Sequence, residues 1–140
     1  MFVAESGGHT QMTRLGGRAR AGQRLVAHVP HGHYPASTFI AAGRWSGACA
    51  PCLFDEAMDG EMFLAWVREA IEAAGARRRY LPPYSPDFNP IENRWRKIKQ
   101  RLRGLAPRTG EELLAAAKTA FESVSIADCQ GFFLPARYAI

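Results

Sequence analysis

A chain of 140 residues with 47% hydrophobic content suits one domain and excludes wholesale disorder. Its formal net charge of +5 comes from 15 Arg and 3 Lys against 13 Asp and Glu, a balance that favours a nucleic-acid partner, although a GC-rich coding bias also favours Arg over Lys. No apolar run approaches the ~20 residues that span a bilayer, the start Met1-Phe2-Val3-Ala4-Glu5 is unlike a signal peptide, and three cysteines make no disulfide framework; the expectation is a cytoplasmic protein with no membrane partner.

In chain order, residues 1–4 read as the end of a strand. Residues 5–24 are polar and Gly-rich, with Arg14, Arg18, Arg20 and Arg24, a loop composition that either contacts phosphate or is simply solvated. Leu25–Val29 reads as a short strand, Ser37–Ala42 as a second and Ala48–Phe54 as a third. Pro51 marks the last as an edge or a bulge. Together these predict an antiparallel meander over 1–58. The period then changes: Phe63, Val67, Ala70, Ile71 and Ala74 recur at helical spacing, with Gly75 as the stop. Residues 76–81 read as a strand, so that strand, helix and strand form a crossover. Helices are predicted from about Pro90 to Leu102 and from Glu111 to Ser123, followed by a mixed, loosely packed tail. The chain divides on this reading into the meander (1–58), the crossover and its basic helix (59–103), and a C-terminal helix and tail (104–140).

The stretch from Leu81 to Arg103, LPPYSPDFNPIENRWRKIKQRLR, holds the chemistry. Pro82, Pro83, Pro86 and Pro90 stiffen the path into the helix. Asn89 is a suitable N-cap, Pro90 fits N1 and Glu92 falls at N3. Ile91, Trp95, Ile98 and Leu102 form an apolar stripe. Glu92, Arg96, Lys99 and Arg103 form a second, and Arg94, Lys97 and Arg101 widen the positive surface. A helix so charged can neutralise a phosphate backbone. The same residues also have a plain structural reading: Glu92 completes a capping box at the positive end of the helix dipole, and the cations form a solvated face.

This run resembles the end of the catalytic domain of mariner-like bacterial insertion-sequence transposases, of the DDE endonuclease superfamily. The likeness covers 23 consecutive residues, including Pro-Pro-Tyr-Ser-Pro and Asn-Pro-Ile-Glu, and continues upstream at Phe2–Gly7, at 24–33 and at Gly60–Leu64, so that it spans most of residues 1–103 and, more weakly, the helix after them. The resemblance implies a ribonuclease-H-like α/β fold, a mixed sheet with flanking helices. It further implies double-stranded DNA at transposon ends as partner, and a triad of acidic residues holding two Mg²⁺ or Mn²⁺ ions. Such a pair, about 3.5–4 Å apart, activates water and steadies the leaving oxygen in phosphodiester cleavage. Glu92 matches the third acidic position and is the catalytic and metal-binding candidate. Arg94, Arg96, Lys97, Lys99, Arg101 and Arg103 are the nucleic-acid-binding candidates.

The departures matter as much. Ala4 stands where the first acid of the family falls, and strand alternation turns its neighbour Glu5 to the other face. No apolar strand ending in Asp precedes Glu69–Gly75, which implies an internal deletion: an incomplete fold lacking one central strand. The 76–81 strand is then expected beside the first strand, and the helix-turn-helix region that usually precedes the domain is not expected. Asp55, Asp59 and Asp87 match no acidic position of the family. The reading is a DNA-binding remnant of a strand-cleavage and strand-transfer domain, inactive on its own and binding no metal productively. The alternative is an active endonuclease in which Glu92 uses non-standard carboxylates or a second chain, a homo-oligomer or a complementing transposase.

Elsewhere, His9, His28, His31 and His33, with Cys49 and Cys52, lack the paired ligand spacing of a structural zinc site and read as ordinary strand and turn residues. Cys129 reads as a small core filler.

Overall fold

The computed structural model describes residues 1–31, 36–72, 75, 77, 79–83 and 85–136, without the side chains of 48 and 49. The architecture is mixed α/β. Strands β1 (Phe2–Gly8), β2 (Ser37–Arg44) and β3 (Gly47–Phe54) form an antiparallel sheet in the order β1-β2-β3. Helices α1 (Gly60–Ala70), α2 (Ile91–Leu105), α3 (Gly110–Glu122) and α4 (Ile126–Phe133) flank it. A three-stranded meander with helices on both faces is compatible with an incomplete ribonuclease-H-like fold.

The sheet is two-sided, and alternation along β2 shows why. Phe39 and Ala41 face one cluster with Ile91, Trp95, Ile98 and Leu102 of α2 and Leu113, Ala116, Ala117 and Ala120 of α3. Ala42 faces the other, with Val67 and Ile71 at α1. β2 is buried on both faces, so its apolar run Phe39-Ile40-Ala41-Ala42 is continuous. The edge strand β1 alternates in the same way. Phe2 and Ala4 pack toward α2 and α3, and Val3 toward α1.

β1 is longer than expected. Glu5, Ser6, Gly7 and Gly8 continue the ladder against Ile40, Phe39, Thr38 and Ser37, because Gly8 leaves the space that the Phe39 ring fills. Pro51 lies at an edge and at a bulge, as expected: two residues of β3, Ala50 and Pro51, oppose Ala41 between the pairs Ile40–Cys52 and Ala42–Cys49, and Ala50 takes φ 48°. Two expected strands are corrected. Residues 25–29 are irregular, with Val26 72% and Val29 63% exposed; β propensity alone does not make a strand without a sheet edge to pair with. In the second, residues 77 and 79–81 are not in a strand, while 76 and 78 lie outside the described residues. Arg77, Arg79 and Tyr80 are exposed there, and among the described residues no strand pairs with the outer edge of β1.

α1 starts at Asp59, whose carboxylate accepts the Met62 N–H at 2.8 Å. The entry is fixed from the sheet: Thr38 Oγ1 donates to the Glu56 carbonyl (2.9 Å) and accepts from the Met58 N–H (3.3 Å). The helix stops at Ala70, earlier than its periodicity suggested, and Gly75 instead closes a turn at φ 80°. α2 runs one turn longer than expected, to Leu105, and ends on Ala106 in the left-handed conformation before Pro107. The tail is not loose. Ser125 and Asp128 form a capping box that opens α4, a pattern present in the sequence as Ser-x-x-Asp. Phe133 of α4 then packs edge-on against Phe2 and Trp45, at 5.6 and 5.8 Å between ring centroids.

Two polar contacts tie α4 and the sheet to α2. Lys97 pairs with Asp128. Arg94 is 2% exposed; its guanidinium donates to Cys129 Sγ (2.7 Å) and to the Ala42 carbonyl (3.4 Å). Cys129 is buried as expected.

Arg94 is a buried cation bound to neutral groups, so its stem contributes more than its charge. Arg94→Met is expected to be neutral or stabilising in urea unfolding, whereas Arg94→Ala costs about 2–3 kcal/mol through the cavity it leaves. Arg96→Ala, on the exposed face, is expected to change stability by less than about 0.5 kcal/mol.

The hydrogen bonds from Lys97 and Ser125 hold the Asp128 carboxyl at about 2, below its ordinary 3.8. A depressed carboxyl pKa stabilises the fold above the unfolded value and loses that effect as pH falls through the folded one. The stability difference between wild type and Asp128→Asn should be constant above about pH 5. It should fade between about pH 4 and pH 2, as followed by urea unfolding at each pH.

Candidate functional site

The stiff Pro-rich connection enters α2 through a 3₁₀ turn at Pro86–Phe88. The expected side-chain cap is absent. Asn89 is extended (φ −106°, ψ 97°) and Pro90 is the N-cap residue. Asn89 does not cap because its N–H goes back to the Pro86 carbonyl and its amide points at Glu92, Nδ2 to Oε1 at 3.4 Å. Asn89 Oδ1 is buried without a hydrogen-bond partner. Glu92 is therefore in the first turn but in no capping box, exposed at the positive end of the helix dipole.

Glu92 lines a cleft of about 450 Å³ with Ala4, Glu5, Met58, Asp59, Gly60 and Phe63. The N-terminal ends of α1 and α2 thus meet over the open edge of β1. Three carboxylates reach this cleft, and their directions differ. Glu92 comes from α2. Glu5 follows Val3 on the α1 face of β1, away from the face of Ala4. Asp59 is engaged in capping α1. Among the described residues no group of three or more His, Cys, Asp or Glu could hold a metal ion. A pair of Mg²⁺ ions requires several oxygen ligands in near-octahedral array. The donors at this cleft do not fit one, because the position that shares its face with α2 is Ala4. Asp87 is exposed in the 3₁₀ turn, and Asp55 is exposed after β3. Asp59 was visible as an acid before the helix, but only the fold shows that it lies beside Glu92.

His9 Nδ1 accepts the Gln11 N–H at 3.2 Å, and Cys52 is half-buried. His28 is exposed in irregular chain, and His33 lies outside the described residues, as does the side chain of Cys49.

The basic residues of α2 separate into distinct environments. Arg94 is a correction: it is turned into the interior, held by Ala42 and Cys129, and has no path to a phosphate. It lies three residues after Ile91 and four before Ile98, so helical geometry places it on the apolar side. Arg96 is exposed. Lys97 is half-buried and paired with Asp128. Burial lowers the Lys99 pKa, nearby Arg103 lowers it further, and Glu92 partly offsets both. Arg101 and Arg103 lie on the last turns of α2, beside a second cleft that also takes in Arg14. Glu92 and Arg101 are nine residues apart, roughly 14 Å along the axis. The helix thus carries an acid at its dipole-positive end and cations along the rest.

No helix among the described residues is long and apolar enough to cross a membrane. Residues 67–114 match a protein family described as DDE superfamily endonuclease; that stretch includes Glu92 and all of α2. No curated protein matches the chain. Over that stretch, which carries Glu92 and the basic helix, the chain is consistent with a fragment of a DDE transposase-like catalytic domain.

Proposed function

We propose that this protein is a transposase-family DNA-binding protein that does not cleave strands on its own: a remnant of a metal-dependent cleavage and transfer domain, over all of residues 1–140. The family match supports a nuclease ancestry with DNA as substrate and divalent metal ions as cofactors. The observation that carries the reading is the pairing of Ala4 with Glu92 in one cleft. The side chain facing α2 from the middle of β1 is a methyl group, so one carboxylate is left to organise ions that need several. Exposed Arg96 and Arg101, with half-buried Lys97, Lys99 and Arg103, supply the charge that attracts a phosphate backbone. The C-terminal helices act as the platform that orients α2.

A second reading is favoured by one specific observation, the nearness of Glu5 and Asp59 to Glu92. A local rearrangement of β1, or a carboxylate from a second copy or a complementing transposase chain, would then complete the set.

Strand cleavage separates the two. Purified protein is expected to leave supercoiled plasmid and terminal-repeat duplex intact with Mg²⁺ or Mn²⁺. Nicking by the wild type that vanishes in Glu92→Ala would establish the second reading instead.

A gain-of-function variant checks the geometry independently. Ala4→Asp returns a carboxylate to the face of β1 that meets α2. Mn²⁺ is expected to raise the thermal midpoint of Ala4→Asp and not that of Ala4→Asp/Glu92→Ala. Equal responses would show that the two positions do not share an ion.

A further inference from the structure

The second cleft, about 730 Å³, lies at the far end of α2 from Glu92, with Arg14, Lys97, Arg101, Arg103 and Gly104 in its lining. Its walls carry four cations and no carboxylate. Lys97 is committed to Asp128, but among the described residues Arg14, Arg101 and Arg103 have no acidic partner. Three guanidiniums gathered at one cleft repel one another, an arrangement that becomes favourable once an anion enters.

The position of Arg14 is built rather than incidental. The chain two residues before it is anchored: Met12 is buried in the main core, and Arg108 Nη1 donates to the carbonyls of Thr10 (2.8 Å) and Met12 (3.3 Å). Arg14 then reaches the last turn of α2 at Gly104, where an added Cβ would stand 3.7 Å from Arg14 Nη2. The Arg14 guanidinium therefore lies against this last turn, in the cleft that Arg101 and Arg103 also line. Gln100 and Ser123 add neutral hydrogen-bonding groups to the same wall.

We propose that this cleft is a phosphodiester-binding subsite for double-stranded DNA, in which Arg14, Arg101 and Arg103 grip backbone phosphates. The proposal rests on the reading of the chain as a DNA-binding remnant, and it names where the backbone is gripped: at the carboxyl-terminal end of α2, the end opposite Glu92. Guanidinium forks match phosphate oxygens two at a time. The cations continue beyond the cleft along α2 through Lys99 and Arg96, a line that follows an extended polyanion better than a single carboxylate. Most of these contacts fall on the backbone, so they set affinity and position and carry no sequence information.

The test is fluorescence anisotropy of a labelled duplex titrated with the full chain between about 50 and 200 mM salt. Arg14→Ala and Arg101→Ala are each expected to lower the slope of log affinity against log salt by about 0.9, and to weaken binding roughly five- to tenfold near 0.1 M salt. Gly104→Glu removes a helical glycine and places a carboxylate among the three arginines; it should keep the fold by circular dichroism and weaken binding more than about tenfold. Arg68→Ala, on α1 and outside the cleft, is the charge-matched control and should bind like wild type. If wild type binds duplex and the cleft variants behave like Arg68→Ala, the subsite is overturned while the DNA-binding reading stands. If wild type does not bind duplex at the lowest salt, both fall. If polyglutamate of equal charge competes as well as unlabelled duplex, the cleft is a general anion site and the assignment to DNA is overturned.

Discussion

Where the candidate residues of α2 point depends on how that helix lies on the sheet. Ile91, Trp95, Ile98 and Leu102 bury against Phe39 and Ala41 of β2 and against α3. Each fully buried large side chain contributes about 1.5–3 kcal/mol. The contact also fixes the rotation of the helix. With that stripe inward, Glu92 falls toward the open edge of β1, and Arg101 and Arg103 fall toward the loop that carries Arg14. Arg94 and Lys97 lock the same rotation from the side, one through the sheet and α4, the other through α4 alone.

That constraint separates the two ends of the helix chemically. At the amino end, the dipole and the proximity of α1 leave a carboxylate cleft whose donors diverge. Toward the carboxyl end, cations gather without acidic partners among the described residues other than Asp128. An ancestral cleavage site would need its acids to converge on the first of these. On the proposed reading, the methyl group of Ala4 prevents it, since the strand pleat turns the adjacent Glu5 to the other face. On the proposed reading, attraction for a phosphate backbone needs no such convergence and is kept.

Much of this was legible in the sequence, for identifiable reasons. The stripe of α2, the meander, the bulge at Pro51 and the inward Cys129 follow from periodicity and residue shape. Arg94 was misplaced because its charge was weighed above its position between Ile91 and Ile98, where helical spacing already pointed inward. Strands were over-read at 25–29 and at the described residues of 76–81, since branched and apolar residues suggest extension but only a partner edge confers it. The reverse error occurred at β1, where Gly7 and Gly8 looked like loop yet complete the ladder, Gly8 by making room for Phe39. α4 was missed although Ser125 and Asp128 spelled its cap. The association of Arg14 with Arg101 and Arg103 could not be read from sequence, since nearly 90 residues separate them and the anchoring of the loop by Met12 and Arg108 brings them together.

The central claim is that the carboxylates around Glu92 do not assemble an ion site. Electron paramagnetic resonance of Mn²⁺ titrated into the wild-type protein measures this directly, because free and protein-held Mn²⁺ give distinct signals. The account predicts that the titrated ion stays free apart from weak association spread over the acidic surface, unchanged in Glu92→Ala. Two ions held per chain, released together when Glu92 is replaced, would contradict it.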